Sequence, residues 1–328
     1  MIISRSPFRI SFIGGGSDLP SFYLNHGGAV LSTSIDKFIY LSMHDYFNDQ
    51  KYFLKYSKNE LAHKLDDIQH PIIREIFRYF DIKGVDLNSS ADLPSGTGMG
   101  SSSAFTVGLN HLCSAYLGQK ISKERIADLS CKIEIEILGE PIGKQDQYAS
   151  AIGGFNFIEF KPDNSVKIEQ IQLQDNLLND LSNNLLLFYL GNTRSASKIL
   201  SKQKDNIEQG KKLENLQKMV KLAYETKNEL KNGEIDSLGE NLRKGWILKR
   251  ELASGISNDF IDYYYDLGIK SGALGGKLLG AGGGGFLLFY IKPKYHENIK
   301  NSLKDLTLIK FNFDNSGTKI IYNDGKNH

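Results

Sequence analysis

Cysteine is scarce in this chain of 328 residues, which contains only Cys113 and Cys131. Both lie inside helix-like patterns and no Cys-x-x-Cys pairing is present, so the sequence fits two buried free thiols in a reducing compartment. The seven histidines never fall in a His-x-x-x-His or similar ligand spacing. A structural zinc site therefore has no support in the sequence.

The chain also lacks a large excess of charge and any long apolar run. Lysines and arginines total 40 against 38 acidic residues, a formal charge of +2, so no global field is available to hold nucleic acid or anionic lipid. No apolar run approaches about 18 residues, and Arg5 and Arg9 interrupt any apolar core of a signal peptide. We therefore expect a cytoplasmic protein without a nucleic-acid or membrane partner, in which any cationic site is local.

The length and the 40% hydrophobic content allow a large core and favour two domains over one. A polar stretch at residues 162–174 follows a predicted strand, FNFIEF, and we place the domain change near residue 165, which gives domains 1–165 and 166–328. The second half is predicted to contain helices at 205–231, 236–254 and 258–267, and strands at 185–190, 286–291, 306–313 and 318–322.

The N-terminal segment predicts a strand that ends in a glycine loop. Phe8, Ile10 and Phe12 alternate with polar residues at the period of a half-buried strand, and the glycines of residues 14–16 end it. Arg9 then points away from the core face. One or two strands over residues 29–43 and a short helix over 70–80 are predicted to follow.

The stretch DLPSGTGMGSSSAF (residues 92–105) places three glycines and three hydroxyls at one turn. Its serines open a helix with a periodic apolar stripe of Phe105, Leu109, Leu112 and Tyr116. A glycine loop at a helix start presents unpaired backbone N–H groups and the positive end of the helix dipole, which suit a phosphate. A tight turn with serine caps is the alternative.

A second helix is predicted after this one. Ser122 can cap it, and glycine and proline stop it at residues 139–141. Glu134 and Glu136 flank its apolar stripe on opposite sides; the stripe consists of Ile126, Leu129, Ile133 and Ile137.

Familiar phosphate motifs do not fit the glycine loops. GTGMGS has Ser101 where the dinucleotide fingerprint needs its last glycine, and a Walker loop fails because Ser271 and Leu278 stand at its required positions. GAGGGG (residues 280–285) matches the dinucleotide pattern in letters but precedes a strand and not a helix. The His-Arg-Asp and Asp-Phe-Gly elements of protein kinases are absent. Three separate glycine loops indicate a composite site for a nucleotide triphosphate and a second substrate.

These three elements, in this order, resemble the motifs of the GHMP kinase superfamily, the group of galactokinase, homoserine kinase, mevalonate kinase and phosphomevalonate kinase. The central motif Pro-x-x-x-Gly-Leu-Gly-Ser-Ser-Ala appears as PSGTGMGSSSA, with Met99 for leucine and one extra serine. The resemblance spans nearly the whole chain. It implies an α+β protein with the two-domain GHMP kinase fold, in which an N-terminal α/β domain resembles ribosomal protein S5 and the C-terminal α+β domain is ferredoxin-like. It also implies a small-molecule kinase that uses ATP and Mg²⁺.

The same resemblance assigns the parts of phosphoryl transfer. In the segment EIEILGEPIGKQDQYA, Asp146 matches the galactokinase aspartate that acts on the sugar hydroxyl, and Arg9 matches an arginine that would keep this aspartate ionised. Alignment on the neighbouring glycines selects Glu134 over Glu136 as the metal ligand, whereas periodicity alone leaves the two open. The alternative is that Arg9 and both glutamates are surface charges.

The resemblance also implies how the loops hold ATP and metal. Ser102 would be the hydroxyl ligand of Mg²⁺, with Ser101 and Ser103 donating to phosphate. Loop 280–285 would close over phosphates or substrate through its backbone, which assigns Gly282, Gly283 and Gly284 to the substrate. The ATP-binding residues of the central loop are then Pro94, Gly96, Gly98, Gly100, Ser101, Ser102 and Ser103.

The first glycine loop indicates the acceptor. Galactokinases carry Gly-Glu-His-Thr-Asp-Tyr there, and this chain has GGGSDLPSFY, which keeps the aspartate and replaces the bulky pair by glycines. This variant most resembles the bacterial heptose 7-phosphate kinases of the family, which implies a sugar phosphate acceptor, phosphorylated on its anomeric hydroxyl on the way to nucleotide-activated heptose for surface polysaccharide. The glycines leave room for a larger sugar, and the aspartate can accept hydrogen bonds from its hydroxyls. The predicted substrate residues are Gly15, Gly16, Ser17 and Asp18.

A 7-phosphate also needs a cation. GNTRSASKIL is a glycine turn into a helix, where Arg194 could grip the phosphate beside Thr193 and Ser195, a plain capping residue being the alternative. Fucokinase-type members share the glycine pattern, so a kinase of unphosphorylated galactose or fucose stays open. A catalytically idle sensor of sugar or nucleotide is the third class, although Asp146 and Glu134 are both present. The oligomeric state also stays open, a homodimer included.

Overall fold

The computed structural model of the protein describes residues 1–48, 50–191, 196–210 and 212–325. Within them, twelve β-strands form two sheets and eleven α-helices pack against these sheets, so the predicted α+β class is confirmed. The strands are β1 (Ile2–Ile13), β2 (Gly28–Asp45), β3 (Tyr52–Lys55), β4 (Asn59–Ala62), β5 (Val85–Ala91), β6 (Phe155–Phe160), β7 (Val166–Gln170), β8 (Leu185–Tyr189), β9 (Gly275–Leu278), β10 (Phe286–Tyr290), β11 (Thr307–Ile309) and β12 (Lys319–Asn323).

The helices are α1 (Pro20–His26), α2 (Pro71–Phe80), α3 (Ser101–Tyr116), α4 (Lys123–Cys131), α5 (Gln145–Ile152), α6 (Asp175–Asn183), α7 (Ala196–Glu208), α8 (Leu213–Lys231), α9 (Ser237–Arg250), α10 (Asp259–Lys270) and α11 (His296–Ser302). A π-helical segment, Lys132–Ile137, continues α4 without a break. None of the helices in the described residues combines the length and the apolar character that crossing a bilayer requires.

The eight-stranded sheet is organised by β2, a strand of 18 residues. β1 pairs antiparallel along one edge of β2, and the other edge is shared, because residues 28–33 pair with β6 and residues 39–45 pair with β5. The order is β12-β1-β2-β5-β3-β4, with β6 and then β7 beside the first part of β2. The one or two strands predicted over residues 29–43 are therefore one long strand.

The four-stranded sheet has the order β11-β8-β10-β9. β9 and β10 are antiparallel neighbours, with Leu278 opposite Leu287. Residues 279–285 connect them, so the GAGGGG loop is the connection of a β-hairpin. The prediction that this loop precedes a strand and not a helix is confirmed.

Strands from both sides of residue 165 enter the large sheet. β7 follows that residue and pairs with β6, and β12 returns near the end of the chain to pair with β1. The stretch 162–174 is thus not only polar loop, and the prediction missed β7 because the strand has only five residues, two of which are apolar. The division of the chain at residue 165 stays a proposal.

The long helix predicted over residues 205–231 is wrong, because the structure has two helices there. α7 ends at Glu208 and α8 begins at Leu213. Gly210 and Lys212 have φ angles of +70° and +63°, a left-handed conformation through which a right-handed helix does not continue. The segments on both sides are rich in Lys, Glu and Gln, which have high helix propensity, so propensity alone predicts one continuous helix.

The predicted stripe of α3 packs against β1 and β2 and is buried. Leu109 and Leu112 are fully buried, and Phe105 and Tyr116 are 8% exposed. This packing fixes α3 so that its first turn lies beside the start of α5, which α3 also contacts. The described core therefore positions two helix N-termini next to the end of β1.

Candidate active site

Asp146 and Arg9 meet at the centre of the site. Asp146 is in the first turn of α5, where the helix dipole favours a negative charge. Arg9 lies on β1 and donates from Nε to Oδ1 at 2.7 Å and from Nη2 to Oδ2 at 2.9 Å. The Arg9 side chain is 5% exposed, so the alternative of a surface arginine is wrong. The geometry is the bidentate arrangement that makes an arginine–carboxylate pair strong and fixes its orientation.

The first turn of α3 faces the same region with backbone amides that have no partner in the described part of the chain. Gly100 is the N-cap residue, with φ of +77° and no side-chain cap, and the first intrahelical bond runs from the Ala104 amide to the Gly100 carbonyl. The amides of residues 101–103 therefore have no acceptor within the helix. Ser102 is exposed, Ser101 is half-buried and Ser103 is buried. This end of α3 is suited to an anion.

The central and C-terminal glycine loops touch backbone to backbone. A Cβ added to Gly98 would lie 2.7 Å from the Leu279 carbonyl oxygen and 3.0 Å from the Gly280 Cα, so no larger residue fits there without movement. Gly285 approaches the Thr97 carbonyl in the same way. Arg9 Nη1 donates to the Gly98 carbonyl oxygen at 2.7 Å, which connects this contact to the Arg9–Asp146 pair.

The other predicted loop residues have distinct environments. Pro94 and Gly96 are exposed, and the Pro94 carbonyl accepts a hydrogen bond from the Thr97 hydroxyl at 2.8 Å. On the C-terminal loop, Gly283 and its neighbour Gly284 are buried, and the Gly283 amide donates to the Ile256 carbonyl at 2.9 Å. Gly282 is packed against the same residue, Ile256. The loop is thus anchored to the chain that follows α9.

Glu134 points into the site from the π-helical segment. It is fully buried, and its two carboxylate oxygens accept from Ser102 Oγ at 2.8 Å and from Gln147 Nε2 at 2.7 Å. Burial raises the pKa of Glu134, whereas the hydrogen bonds from Ser102, Gln147 and Ser103 lower it. Glu136 is exposed to solvent. The structure thus separates two glutamates that periodicity leaves open.

The π-helical turn also accounts for the position of Ile137. The α-helical spacing predicts Ile137 on the apolar stripe, but its side chain is 48% exposed. The hydrogen bond from the Leu138 amide to the Ile133 carbonyl spans five residues and widens this turn, which changes the face on which later side chains emerge. Such turns are frequent at functional sites, and this one carries Glu134.

Asp18 connects the first glycine loop to the start of α5 through hydrogen bonds. Its Oδ1 accepts from the Gly16 amide at 2.9 Å and from Gln145 Nε2 at 3.1 Å, and its Oδ2 accepts from the Gln145 amide at 3.2 Å. A Cβ on Gly143 would overlap the carboxylate, so that glycine permits the approach. Burial, and next the charge of Asp146, raise the pKa of Asp18.

The glycines at positions 15 and 16 are surrounded by polar side chains. Ser11 Oγ and Gln145 lie within van der Waals distance of a Cβ built on Gly15, and a Cβ on Gly16 would overlap the Gln203 amide. Within the described chain, Ser11 Oγ, Gln145 Oε1 and Gln203 Nε2 are buried atoms without a hydrogen-bond partner. Ser17 differs, because its hydroxyl bonds to the Gly14 and Ala29 carbonyls.

Three residues of the site were missed by sequence reasoning. Gln203 comes from α7, and two buried lysines come from the C-terminal half: Lys249 on α9 and Lys277 on β9. Lys277 Nζ donates to the carbonyls of Ser11 and Phe12, each at 2.7 Å. A signal was available for Lys249, because it follows the buried Trp246 by three residues and so shares its helix face. Arg194 lies outside the described residues.

Comparison with known proteins identifies the family of the chain. Residues 66–154 match the sequence model of the GHMP kinases N terminal domain, and residues 213–306 match that of the GHMP kinases C terminal domain. A D-glycero-alpha-D-manno-heptose 7-phosphate kinase from Campylobacter jejuni is 31% identical, over 97% of this chain and 98% of its own length.

Solved structures share the architecture. A putative sugar kinase from Campylobacter jejuni superposes with a TM-score of 0.77 at 28% identity and covers 97% of each chain. A D-glycero-D-manno-heptose 1-phosphate kinase from Bacteroides thetaiotaomicron has a TM-score of 0.80 at 23% identity and covers 98% of this chain and 100% of its own. The motifs, the geometry and these matches over nearly the full length agree, and the chain belongs to the GHMP kinase family, as a sugar kinase that uses ATP and a hydroxyl acceptor.

Proposed function

We propose that the chain transfers the γ-phosphoryl group of ATP to the anomeric hydroxyl of D-glycero-D-manno-heptose 7-phosphate, giving the 1,7-bisphosphate. The observation that carries the chemistry is the bidentate Arg9–Asp146 pair at the meeting point of the first glycine loop and the α3 N-terminus. The heptose relative, which is 31% identical over nearly the full length of both chains, supports the acceptor.

Asp146 is the proposed base. The acceptor hydroxyl attacks the γ-phosphorus, its proton passes to the Asp146 carboxylate, and the bond from phosphorus to the bridging oxygen breaks as ADP leaves. Arg9 holds the carboxylate in one orientation through two hydrogen bonds, and 23% of the Asp146 side chain remains exposed for the substrate. Positioning of this kind supplies much of the rate enhancement in phosphoryl transfer.

The phosphates of ATP are proposed to lie at the start of α3. The free amides of residues 101–103 and the positive end of the helix dipole face an anion there. Ser101 and Ser103 add hydroxyl donors, while Gly96, Gly98 and Gly100 let the backbone approach closely. The close contact between Gly98 and Gly280 brings the C-terminal glycine loop to the same place.

The proposal includes Mg²⁺ because the side-chain oxygens of Glu134 and Ser102 are suitable ligands for it. Glu134 and Ser102 place a carboxylate and a hydroxyl next to each other, with Oε1 and Oγ 2.8 Å apart. Mg²⁺ usually takes one or two protein oxygens, and substrate phosphates and water complete its octahedron. When bound, it would neutralise charge on the β and γ phosphates. Gln147 holds the other oxygen of Glu134 and so fixes the orientation of the carboxylate.

The acceptor pocket is proposed to lie at residues 14–18. Ser11 Oγ, Gln145 Oε1 and Gln203 Nε2 are buried there without partners in the described chain, and a polyhydroxylated sugar offers donors and acceptors for all three. Asp18 holds the loop in place through its three hydrogen bonds. Arg194 remains a proposal for the 7-phosphate end.

The test is ADP release with Mg²⁺ and ATP across heptose 7-phosphate, mannose, galactose, fucose and mevalonate, with kcat/KM measured for each. We expect the highest kcat/KM for the heptose phosphate. Preference for an unphosphorylated sugar would keep the chemistry and refute the acceptor. Binding of ATP without turnover of any acceptor would refute the kinase assignment in favour of a sensor.

A further inference from the structure

Lys249 is a buried cation that the proposed chemistry does not yet use. It lies one residue before the end of α9, is 6% exposed, and donates from Nζ to the Gly280 carbonyl oxygen. It interacts electrostatically with Arg9 and with the carboxylates of Asp18 and Asp146. A lysine of the C-terminal half thus reaches the pair that is proposed to activate the acceptor.

The hydrogen bonding of Lys249 is incomplete. An ammonium group has three donors, and in the described part of the chain Nζ has one acceptor and no carboxylate within ion-pair distance. Lys277 differs, since two carbonyls at 2.7 Å explain its burial as a link between β9 and β1. A buried charge is retained only when something compensates its desolvation, and here the protein itself supplies little.

Arg9 and Lys249 hold the two sides of the contact between the glycine loops. Arg9 Nη1 binds the Gly98 carbonyl, Lys249 Nζ binds the Gly280 carbonyl, and these two glycines touch. Arg9 has Asp146 as its bidentate partner, whereas Lys249 has no such carboxylate partner among the described residues. The contact adjoins the Arg9–Asp146 pair, where phosphoryl transfer is proposed to occur, and the transferred group spreads negative charge over three oxygens.

We propose that Lys249 is a catalytic residue that binds the phosphoryl group in transit through its ammonium group. Lysine suits this role as a compact point charge with rotatable donors. Burial and the charge of Arg9 lower the pKa of Lys249 to about 8, so the group is mostly charged at neutral pH. The inference rests on the proposed kinase function, but not on the identity of the sugar.

Two other roles predict different results. If Lys249 only anchors the glycine loop, replacing it by methionine lowers the melting temperature of the free protein, and activity falls only with the loss of folded enzyme. If Lys249 binds the phosphate of the acceptor, the replacement raises the KM for the acceptor and leaves kcat unchanged. The phosphoryl group in transit is favoured, because Lys249 donates to Gly280 at the loop contact, and Arg9 links the other side of that contact to Asp146.

The experiment compares Lys249→Met and Lys249→Arg with the wild type, and uses Lys244→Met, an exposed lysine of the same helix, as the control. Calorimetric titrations with Mg-ADP and with the non-hydrolysable Mg-AMP-PNP need no acceptor, so they test the inference even if the heptose assignment fails.

We expect Lys249→Met to bind Mg-ADP like the wild type, to lose roughly tenfold or more in affinity for Mg-AMP-PNP, and to lose roughly 10²-fold in kcat on whichever acceptor is turned over. Lys249→Arg should recover part of both losses, and Lys244→Met should lose neither. Equal affinity of Lys249→Met and the wild type for AMP-PNP, a kcat within about threefold, or a change confined to the KM of the acceptor would each overturn the proposal.

Discussion

Arg9 and Asp146 are 137 positions apart in the chain and meet through two hydrogen bonds, from Nε to Oδ1 and from Nη2 to Oδ2. The pair joins the first strand of the large sheet to the first turn of α5. Because Arg9 also donates to the Gly98 carbonyl, one side chain fixes both the proposed base and the central glycine loop. Any change at this pair should therefore affect chemistry before it affects nucleotide binding.

Asp146→Asn should preserve the shape of the pair and remove the base. We expect ATP binding to be retained and kcat to fall by roughly 10² to 10⁴, the contribution of a positioned general base. The control is Asp259→Asn, since Asp259 is also in the first turn of a helix, α10, but is exposed. Turnover of Asp146→Asn within about threefold of the wild type would exclude Asp146 as the base.

Glu134→Gln and Glu136→Gln form a matched pair on one helical segment. Glu134 is buried against Ser102 and Glu136 is exposed, so only the first substitution should weaken a metal site. We expect the Mg²⁺ concentration for half-maximal activity to rise at least roughly tenfold for Glu134→Gln and to stay unchanged for Glu136→Gln. Equal Mg²⁺ dependence of the two variants would remove Glu134 from the metal site.

Gly280→Ala tests the contact between the glycine loops. Its φ of +70° is nearly that of Gly139, +68°, so alanine carries the same left-handed strain of about 1 to 2 kcal/mol at both positions. A Cβ at position 280 would overlap Gly98, whereas nothing lies within 4 Å of one at position 139. Chemical denaturation should show Gly280→Ala to be less stable than Gly139→Ala by about 1 to 3 kcal/mol. Equal stability would mean that the loops do not touch in solution.

Gln203→Leu tests the acceptor pocket. In the described part of the chain the Gln203 amide nitrogen has no hydrogen-bond partner, and it lies against Gly16, far along the chain from the central glycine loop. We expect the KM for the acceptor to rise by roughly tenfold, the loss of one or two hydrogen bonds, while the KM for ATP stays constant. The exposed Gln119 offers the control Gln119→Leu. If the KM for ATP rose and that of the acceptor did not, Gln203 would belong to another part of the site.

Lys249→Met should change the pH dependence of stability. Burial and the charge of Arg9 lower the pKa of Lys249 from 10.5 to about 8, against the opposing carboxylates of Asp18 and Asp146. Between these pH values the unfolded chain binds more protons, so wild-type stability rises with pH there. The buried ammonium group of Lys249 therefore lowers the folding stability of the wild type by at most about 3 kcal/mol below about pH 8. This destabilisation disappears above about pH 10.5.

The measurement is the melting temperature of both proteins without ligand from pH 7 to 10. Loss of the hydrogen bond to Gly280 offsets about 1 kcal/mol of the gain. Lys249→Met should be the more stable protein at pH 7, and its advantage should shrink as the pH rises above 8. A variant that is less stable than the wild type by the same amount at every pH would contradict a buried, charged Lys249.

Short motifs allowed much of the site to be predicted from the sequence. The glycine loop before α3 and the segment containing Asp146 carry their meaning within a few consecutive residues, so Ser102, Asp146 and the loop glycines could be named without coordinates. The structure brings Arg9 to Asp146 and Glu134 to Ser102, as the family resemblance implied. Their roles in catalysis and in metal binding stay proposals.

The missed features depend on contacts between distant segments or on irregular local geometry. Gln203 reaches the first loop from α7, and the spacing of Lys249 from the buried Trp246 predicts the helix face of Lys249 but not its contact with Gly280. The π-helical turn changes the helical period at Glu134, which spacing rules built on the α-helix do not anticipate. The left-handed residues after α7 broke a helix that propensity alone would continue.

The most direct test of the proposed function is to identify the product. Purified protein, Mg²⁺, ATP and D-glycero-D-manno-heptose 7-phosphate would be followed by ³¹P NMR, with Asp146→Asn run in parallel. We predict one new sugar phosphate signal that couples to the anomeric proton, grows in step with ADP, keeps the original 7-phosphate signal and is strongly reduced in the variant. ADP without a new sugar phosphate, or a phosphate on another hydroxyl, would contradict the account.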